Sequence, residues 1–332
     1  MKRQSCGICG SAVYFENSAC LHCGTNLAYL RHSSALVAVD SQGRYVDASG
    51  ASWYRCTNLL LSGCTWLAPE SGGQCFSCEL TRTRPNDNDA KGLSQFTAAE
   101  RAKRHLIAEL DELGMPIVSR AEDPDGGLAF DLLSSVKENV VIGHAAGVIT
   151  INLAESDDAY RERMRTQLDE PYRTMLGHFR HEVGHYFETV LVFSDDGRTR
   201  EARELFGDDT KDYQAEIDRH YSEGAPPGWN EGFISKYATM HPYEDFAESF
   251  AHYLHICDTL GTAREYGLIS TIPQEISFRE VVETEWLPLS IALNQVNRSM
   301  GKDDLYPFIL SATVIDKLEF VHGLRTSARA AT

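Results

Sequence analysis

The chain has 332 residues, 42% of them hydrophobic and 24% charged, an ordinary globular composition with room for one large domain and a smaller one. A net charge of −17 disfavours nucleic acid or an anionic membrane as the main partner, and no apolar run reaches the ~18 residues of a membrane-spanning helix. The opening MKRQSCGICG lacks the apolar core of a signal peptide, so a cytoplasmic location is expected.

Eight of the nine cysteines lie in the first 78 residues, and only Cys257 lies outside. Clustered Cys-x-x-Cys pairs in a chain with no secretory leader point to metal rather than disulfides. Cys6, Cys9, Cys20 and Cys23 form two such pairs, each able to make a tight turn whose backbone N–H groups face the thiolates. Two turns of this kind on facing hairpins give the four-sulfur zinc ribbon. His22, inside the second pair, is read as a bystander. Cys56, Cys64, Cys75 and Cys78 follow, with Gly63, Gly72 and Gly73 to permit tight turns, and suggest a second structural zinc. Four thiolates leave no position open to water, so neither site suggests catalysis, but metal binding would supply much of the folding energy of so small a region.

Residues 1–80 are therefore expected to be a small, β-rich zinc-ribbon region, and the polar TRTRPNDNDAKG (81–92) reads as a linker. A helix of about 18 residues should follow, with Ser94 or Thr97 as N-cap and Gly114 beyond its end. LAFDLLS and GVITINLAE read as strands, the second with Ile149, Ile151 and Leu153 alternating with Thr150 and Asn152. A long helical stretch over about 156–192, interrupted near Pro171, leads to a second helix over about 199–222 and a turn-rich connection, SEGAPPGWNEGF. PYEDFAESFAHYLHICDTL is a strong helix with Pro242 near its start, and two more are expected at about 285–299 and 306–325. The fold class is α+β, a mainly helical domain over 93–332 behind the ribbon region.

GHFRHEVGHYFE (177–188) carries the chemistry. Residues four apart in a helix are offset by only ~40°, so His181 and His185 point the same way and can share one Zn²⁺. Glu182 lies ~100° round from His181, beside the metal rather than on it, where it can act as general base towards a zinc-bound water. Gly184 lets another segment approach this helix closely. Such a motif also arises by accident on an ordinary amphipathic helix. Here His178, Phe179, Val183 and Phe187 make the helix look buried on several sides, where unpaired histidines and a glutamate are costly. A third ligand should come from YEDFAESFAHY. Glu244 and Glu248 share a face there; one can bind zinc while the other accepts the N–H of a ligand histidine, and Asp245, one step off, can replace either.

HEVGH with EDFAE resembles the gluzincin metallopeptidases, especially lethal-factor-type members with a long insertion between the two helices. The resemblance implies that Glu244 is the ligand, that Glu248 supports a histidine, and that Tyr237, seven residues before Glu244, steadies the tetrahedral oxyanion. A wider stretch of the chain is similar to a bacterial family of zinc-binding metallopeptidases with an N-terminal zinc ribbon. The matching segments are CTWLAPESGGQCFSCELTRTRP, GVITINLAESDD, GHFRHEVGHYF and HPYEDFAESFAHYLH. In that clan an edge strand near the metal pairs with the substrate backbone. By that resemblance Val148, Ile149, Thr150 and Ile151 are candidates for it, with an interior strand as the equally weighted alternative; His144 reads as an ordinary loop histidine rather than a residue of the cleft. The expectation is one catalytic and two structural zincs and a peptide or protein substrate. The alternative is a non-catalytic zinc-ribbon module that holds protein or nucleic acid on a zincin scaffold. The intact Glu182 and the thin scatter of Lys2, Arg3, Arg31, Arg82 and Arg84, without aromatic interleaving, disfavour it.

Overall fold

The computed structural model describes residues 2–134, 143–167, 172–270 and 276–330, with side chains to residue 325. The chain forms two compact units, Met1–Tyr160 and Arg161–Thr332. Among the described residues no helix is long and apolar enough to cross a membrane.

The first unit opens with short antiparallel pairs: β1 (Gln4–Ser5) with β2 (Ala12–Val13), and β3 (Leu27–Leu30) with β4 (Ala35–Ala38). A three-stranded sheet follows from β5 (Arg44–Val46), β6 (Ser52–Arg55) and β7 (Leu67–Ala68), with the one-turn helix α1 (Leu59–Ser62) between the last two. Ala28, Leu30, Val39 and Leu67 form one buried apolar cluster, with Val37, Tyr45 and Trp53 against it, and the rings of Phe15, Tyr29 and Trp66 are buried against one another. In a region of this size a metal staple would add to what such a core supplies.

After a second one-turn helix, α2 (Phe76–Glu79), the supposed linker is partly structured, which corrects the sequence reading. Thr81–Thr83 form β8, and α3 runs from Ala90 to Leu113. Asp89, not Ser94 or Thr97, caps α3 by accepting from Gly92 N, and Gly114 ends it at φ 70° as expected. The polar look of 81–83 misled because the polar atoms are paired. Thr81 and Glu100 bond to the buried Lys103 ammonium, and Arg82 pairs with Asp131. From α3, Arg104 reaches Glu16 at 3.0 Å and Asp111 accepts a two-pronged bond from Arg31.

β8 joins β9 (Ala129–Leu133), β10 (Gly143–Ala145) and β11 (Val148–Asn152) in a sheet of order β10-β11-β9-β8. β11 pairs parallel to β9 on one side and antiparallel to β10 on the other. The edge-strand reading of Val148, Ile149, Thr150 and Ile151 is corrected accordingly in favour of the interior one, and His144 lies in β10 rather than in a loop. β11 is interior, its Val148, Ile149 and Thr150 already paired across to Ala145, His144 and Gly143. A turn tight enough to fold β10 back onto it, closed by Gly147 N donating to His144 Nε2, hides that edge.

The second unit is helical apart from its connections. α4 (Asp158–Gln167) leads in, and α5 (Met175–Phe187) carries the histidine motif; Pro171 lies outside the described residues. Thr174 caps α5 by accepting from Gly177 N. The last turn widens into a π-helical one over Glu188–Val192. The single helix expected at 199–222 is two, α6 (Asp196–Phe206) and α7 (Tyr213–Glu223), broken where Gly207 takes a φ of 104°. α8 (Pro242–Glu265) starts on Pro242 with His241 as its cap. α9 (Phe278–Val281), a π-helical turn and α10 (Leu287–Ser299) form one continuous rod. α11 is Ala312–Ala330, starting six residues later than expected.

The centre of this unit is the crossing of α5 and α8. Phe179, Val183, Phe187, Phe246 and Phe250 are fully buried there, each contributing about 1.5–3 kcal/mol by burial. The helices come close at Gly184, where an added Cβ would stand 3.0 Å from the Cα of Ala247. That contact sets two histidines of one helix against two glutamates of the other.

Candidate metal centre

His181, His185 and Glu244 converge, with one donor atom from each within 4.8 Å of the others. Glu244 Oε2 lies 3.0 Å from His181 Nε2 and 3.5 Å from His185 Nε2. His181 donates from Nδ1 to Glu248 Oε1 at 2.9 Å, which leaves Nε2 as the metal-facing nitrogen. Glu248 Oε2 accepts in turn from the Ser235 hydroxyl at 2.6 Å, and that hydroxyl accepts from Ala238 N in the short 3₁₀ turn carrying Tyr237. His185 stacks its ring on Tyr243, centroids 3.9 Å apart, and the Tyr237 ring stands 5.8 Å from that of His181.

All three donors are buried. Burial alone would push the Glu244 carboxyl up, but the imidazoles of His185 and His181 outweigh it and hold the carboxyl well below the usual range. Burial would likewise lower His181, and the carboxylates of Glu244 and Glu248 overcome it and raise the imidazole well above its ordinary value. The pocket is built for positive charge. Two imidazole nitrogens and one carboxylate oxygen are also the donor set of open zinc sites, in which the fourth position is left to solvent. The residues present therefore fit the ion.

Glu182 stands one residue on from His181, buried, with Oε1 3.4 Å from His178 Nε2 and Oε2 without a hydrogen-bond partner. An acceptor left open beside the donor set is what a general base needs. His178 was singled out in the sequence only as a neighbour on the same broad face; the structure gives it to the base. Tyr213, unremarked in the sequence, donates to Glu244 Oε1 at 2.6 Å. No local pattern marks a tyrosine in the insertion as a partner of a residue on the next helix. Burial, followed by Glu244, Tyr213 and Glu182, pushes the Tyr237 phenol well above its usual range, so it keeps its proton as a donor must.

Asp245 does not serve this centre, which corrects its reading as a residue supporting the ligands. Its Oδ2 accepts from Lys317 of α11 at 2.6 Å, and Lys317 also donates to the Gly232 carbonyl at 2.7 Å. One position along a helix is about 100°, enough to turn Asp245 from the metal to the C-terminal helix. Other tempting histidines are engaged elsewhere. His252 Nδ1 meets the Tyr306 hydroxyl at 2.8 Å, His255 Nδ1 accepts from Arg180 at 2.6 Å, and His241 caps α8.

In the first unit the sulfurs of Cys6, Cys9, Cys20 and Cys23 form one group, and those of Cys56, Cys64, Cys75 and Cys78 a second. Closest sulfur pairs are 3.8 and 3.7 Å in the first and 3.5 Å in the second. The spacing suits tetrahedral coordination of zinc by four thiolates. Cys9 and Cys23 of the first group are exposed, whereas the second group is wholly buried.

Comparison with known proteins agrees with this arrangement. Residues 92–324 match the family described as "Putative zinc-binding metallo-peptidase", and residues 3–89 match a zinc-ribbon domain. Uncharacterized proteins of Mycobacterium bovis and of two strains of Mycobacterium tuberculosis are each 50% identical over 331 residues, covering 97% of this chain and 94% of the relative. No solved structure matches the chain significantly. With the histidine–glutamate group inside the first matched segment and both cysteine groups inside the second, the chain belongs to this zinc-binding metallopeptidase family and carries its zinc ribbon at the N-terminal side.

Proposed function

We propose that the protein is a zinc-dependent peptidase that hydrolyses peptide bonds, with His181, His185 and Glu244 as the metal ligands. The observation that carries the reading is the convergence of these three buried donors with an unpaired, buried Glu182 oxygen beside them. Zinc held by three protein donors supplies a Lewis acid and brings the pKa of a bound water towards ~7.

This chain's residues do the rest. Glu248, itself held by Ser235, fixes the His181 ring with Nε2 towards Glu244 Oε2, where the two would hold an ion. Glu182 takes the proton of the attacking water and passes it to the leaving amine, with its Oε2 open and the His178 imidazole 3.4 Å from Oε1. Tyr237 keeps its phenolic proton and donates it as a hydrogen bond where the carbonyl oxygen becomes negative. The family, the donor chemistry and the placement of the base support this reading together.

The test is cleavage of an unbiased peptide library by the zinc-loaded chain and by Glu182→Gln. Turnover is expected to fall by roughly 10²–10⁴ in the variant, the usual contribution of a general base, with zinc content unchanged. Equal cleavage by both proteins would remove Glu182 from the mechanism.

A further inference from the structure

Glu244 uses its two oxygens differently. Oε2 faces both imidazoles, at 3.0 Å from His181 Nε2 and 3.5 Å from His185 Nε2. Oε1 is taken by the Tyr213 hydroxyl at 2.6 Å, the usual length for a hydroxyl donating to a carboxylate.

The tyrosine is held there from several directions. It is the first residue of α7, whose cap Asp212 accepts from Ala215 N at 2.8 Å. Its ring meets the ring of His241 edge-on, centroids 5.2 Å apart. His241 Nδ1 accepts from Tyr243 N at 3.1 Å, so its Nε2 carries the proton and donates to the Lys211 carbonyl at 3.2 Å. One imidazole thus caps α8 and ties the start of α7 to it. Glu244 is the third residue of α8, within reach of a phenol pinned in that way.

We propose that Tyr213 is a positioning residue that commits Glu244 to binding its metal through Oε2 alone. A carboxylate free at both oxygens can chelate an ion with both and fill the position that a water or a substrate carbonyl needs. With Oε1 occupied by a donor, Glu244 offers one oxygen, the donor set stays at three, and the fourth position stays open. The inference rests on the metal site of the proposed function, but not on peptide hydrolysis itself.

The test is Tyr213→Phe, which keeps the ring and removes the donor, in the full-length chain. Zinc per chain is followed against a rising concentration of a competing chelator, and the equivalent missing from His181→Ala identifies the metal of this site. Tyr213→Phe is expected to release that equivalent at about 10–100-fold lower chelator concentration, the usual loss on removing a group that holds a ligand. Cobalt placed in that site alone, with zinc kept on the cysteines, should show weaker visible absorption in the variant, as expansion from four to five ligands predicts. Tyr221→Phe, an exposed phenol on the same helix, should match the wild type in both measurements. Unchanged affinity or an unchanged cobalt spectrum in Tyr213→Phe, or an equal loss in Tyr221→Phe, would overturn the proposal. If His181→Ala loses no zinc, the metal site and this inference fall together. If it loses one while Tyr213→Phe behaves as wild type, only the role of Tyr213 falls.

Discussion

The cysteine groups and the histidine–glutamate group gather metal-ligating side chains by opposite routes. Within the ribbon region the paired sulfurs are 17 and 11 positions apart in the chain and sit on short turns. In the helical unit Glu244 meets His181 from 63 positions away, and only the crossing of two helices brings them together. The first kind of site sits on a small region with a modest core, to which bound metal adds folding energy. The second is placed by the packed crossing of α5 and α8. Four thiolates close a site, whereas two imidazoles and a carboxylate leave room for chemistry.

Ligand deletion in each region breaks or sharpens that contrast most strongly. Cys75 is fully buried among three other thiols, and Cys75→Ser should release its zinc and cost the first unit about 4 kcal/mol or more, since structural zinc commonly supplies more than that to folding. His181→Ala should also lose one zinc per chain, yet shift the thermal midpoint of the protein far less. Metal content and thermal unfolding of the two variants read both outcomes. If His181→Ala melted as low as Cys75→Ser, the histidine–glutamate site would be a structural staple and the contrast would be wrong.

A smaller effect tests whether the core really carries the second site. Lys317 and Asp245 are both buried, and their ion pair holds α11 against α8 immediately beside Glu244. Asp245→Asn leaves the ammonium buried without its counter-charge and should destabilise the helical unit by ~3–5 kcal/mol. Zinc on the cysteine groups should be retained. Denaturant unfolding with metal analysis of the folded protein separates the two effects, and a variant as stable as the parent would show that α11 is held by its apolar contacts alone.

The same contrast explains what was legible in the sequence. Cysteine pairs announce themselves because turn geometry and ligand spacing are local, and HEVGH does so because one helix fixes the angle between its own side chains. That Glu244 rather than Glu248 or Asp245 is the ligand candidate followed only from resemblance, because the phase and height of α8 against α5 depend on how the two helices pack. β8 was hidden because Thr81 and Arg82 look like linker residues until their partners Lys103 and Asp131, far along the chain, are in place. The partner of β11 was hidden because a hairpin, not the strand's own alternation, decides which strand lies at the edge. Tyr213 and Ser235 could not be found at all, for each acts through a side chain on another element.

The mildest prediction concerns glycine, which the two regions use for different reasons. Gly184 sits where α5 and α8 touch, and a methyl group there would meet the Ala247 backbone at 3.0 Å and the Phe250 Cβ at 3.1 Å. Backbone cannot swing aside as a side chain can, so the helices must separate. Gly184→Ala should therefore cost about 1–3 kcal/mol and weaken zinc binding at His181, His185 and Glu244 while sparing the cysteine sites. Gly7, between Cys6 and Ile8 of the ribbon, has nothing within 4 Å of the same added atom. Gly7→Ala should change stability by no more than about 0.5 kcal/mol and leave all zinc in place. Thermal melts and zinc titration of both variants distinguish the two uses. If the methyl at 184 left both stability and zinc affinity unchanged, the close crossing of the helices would not be what places the donors.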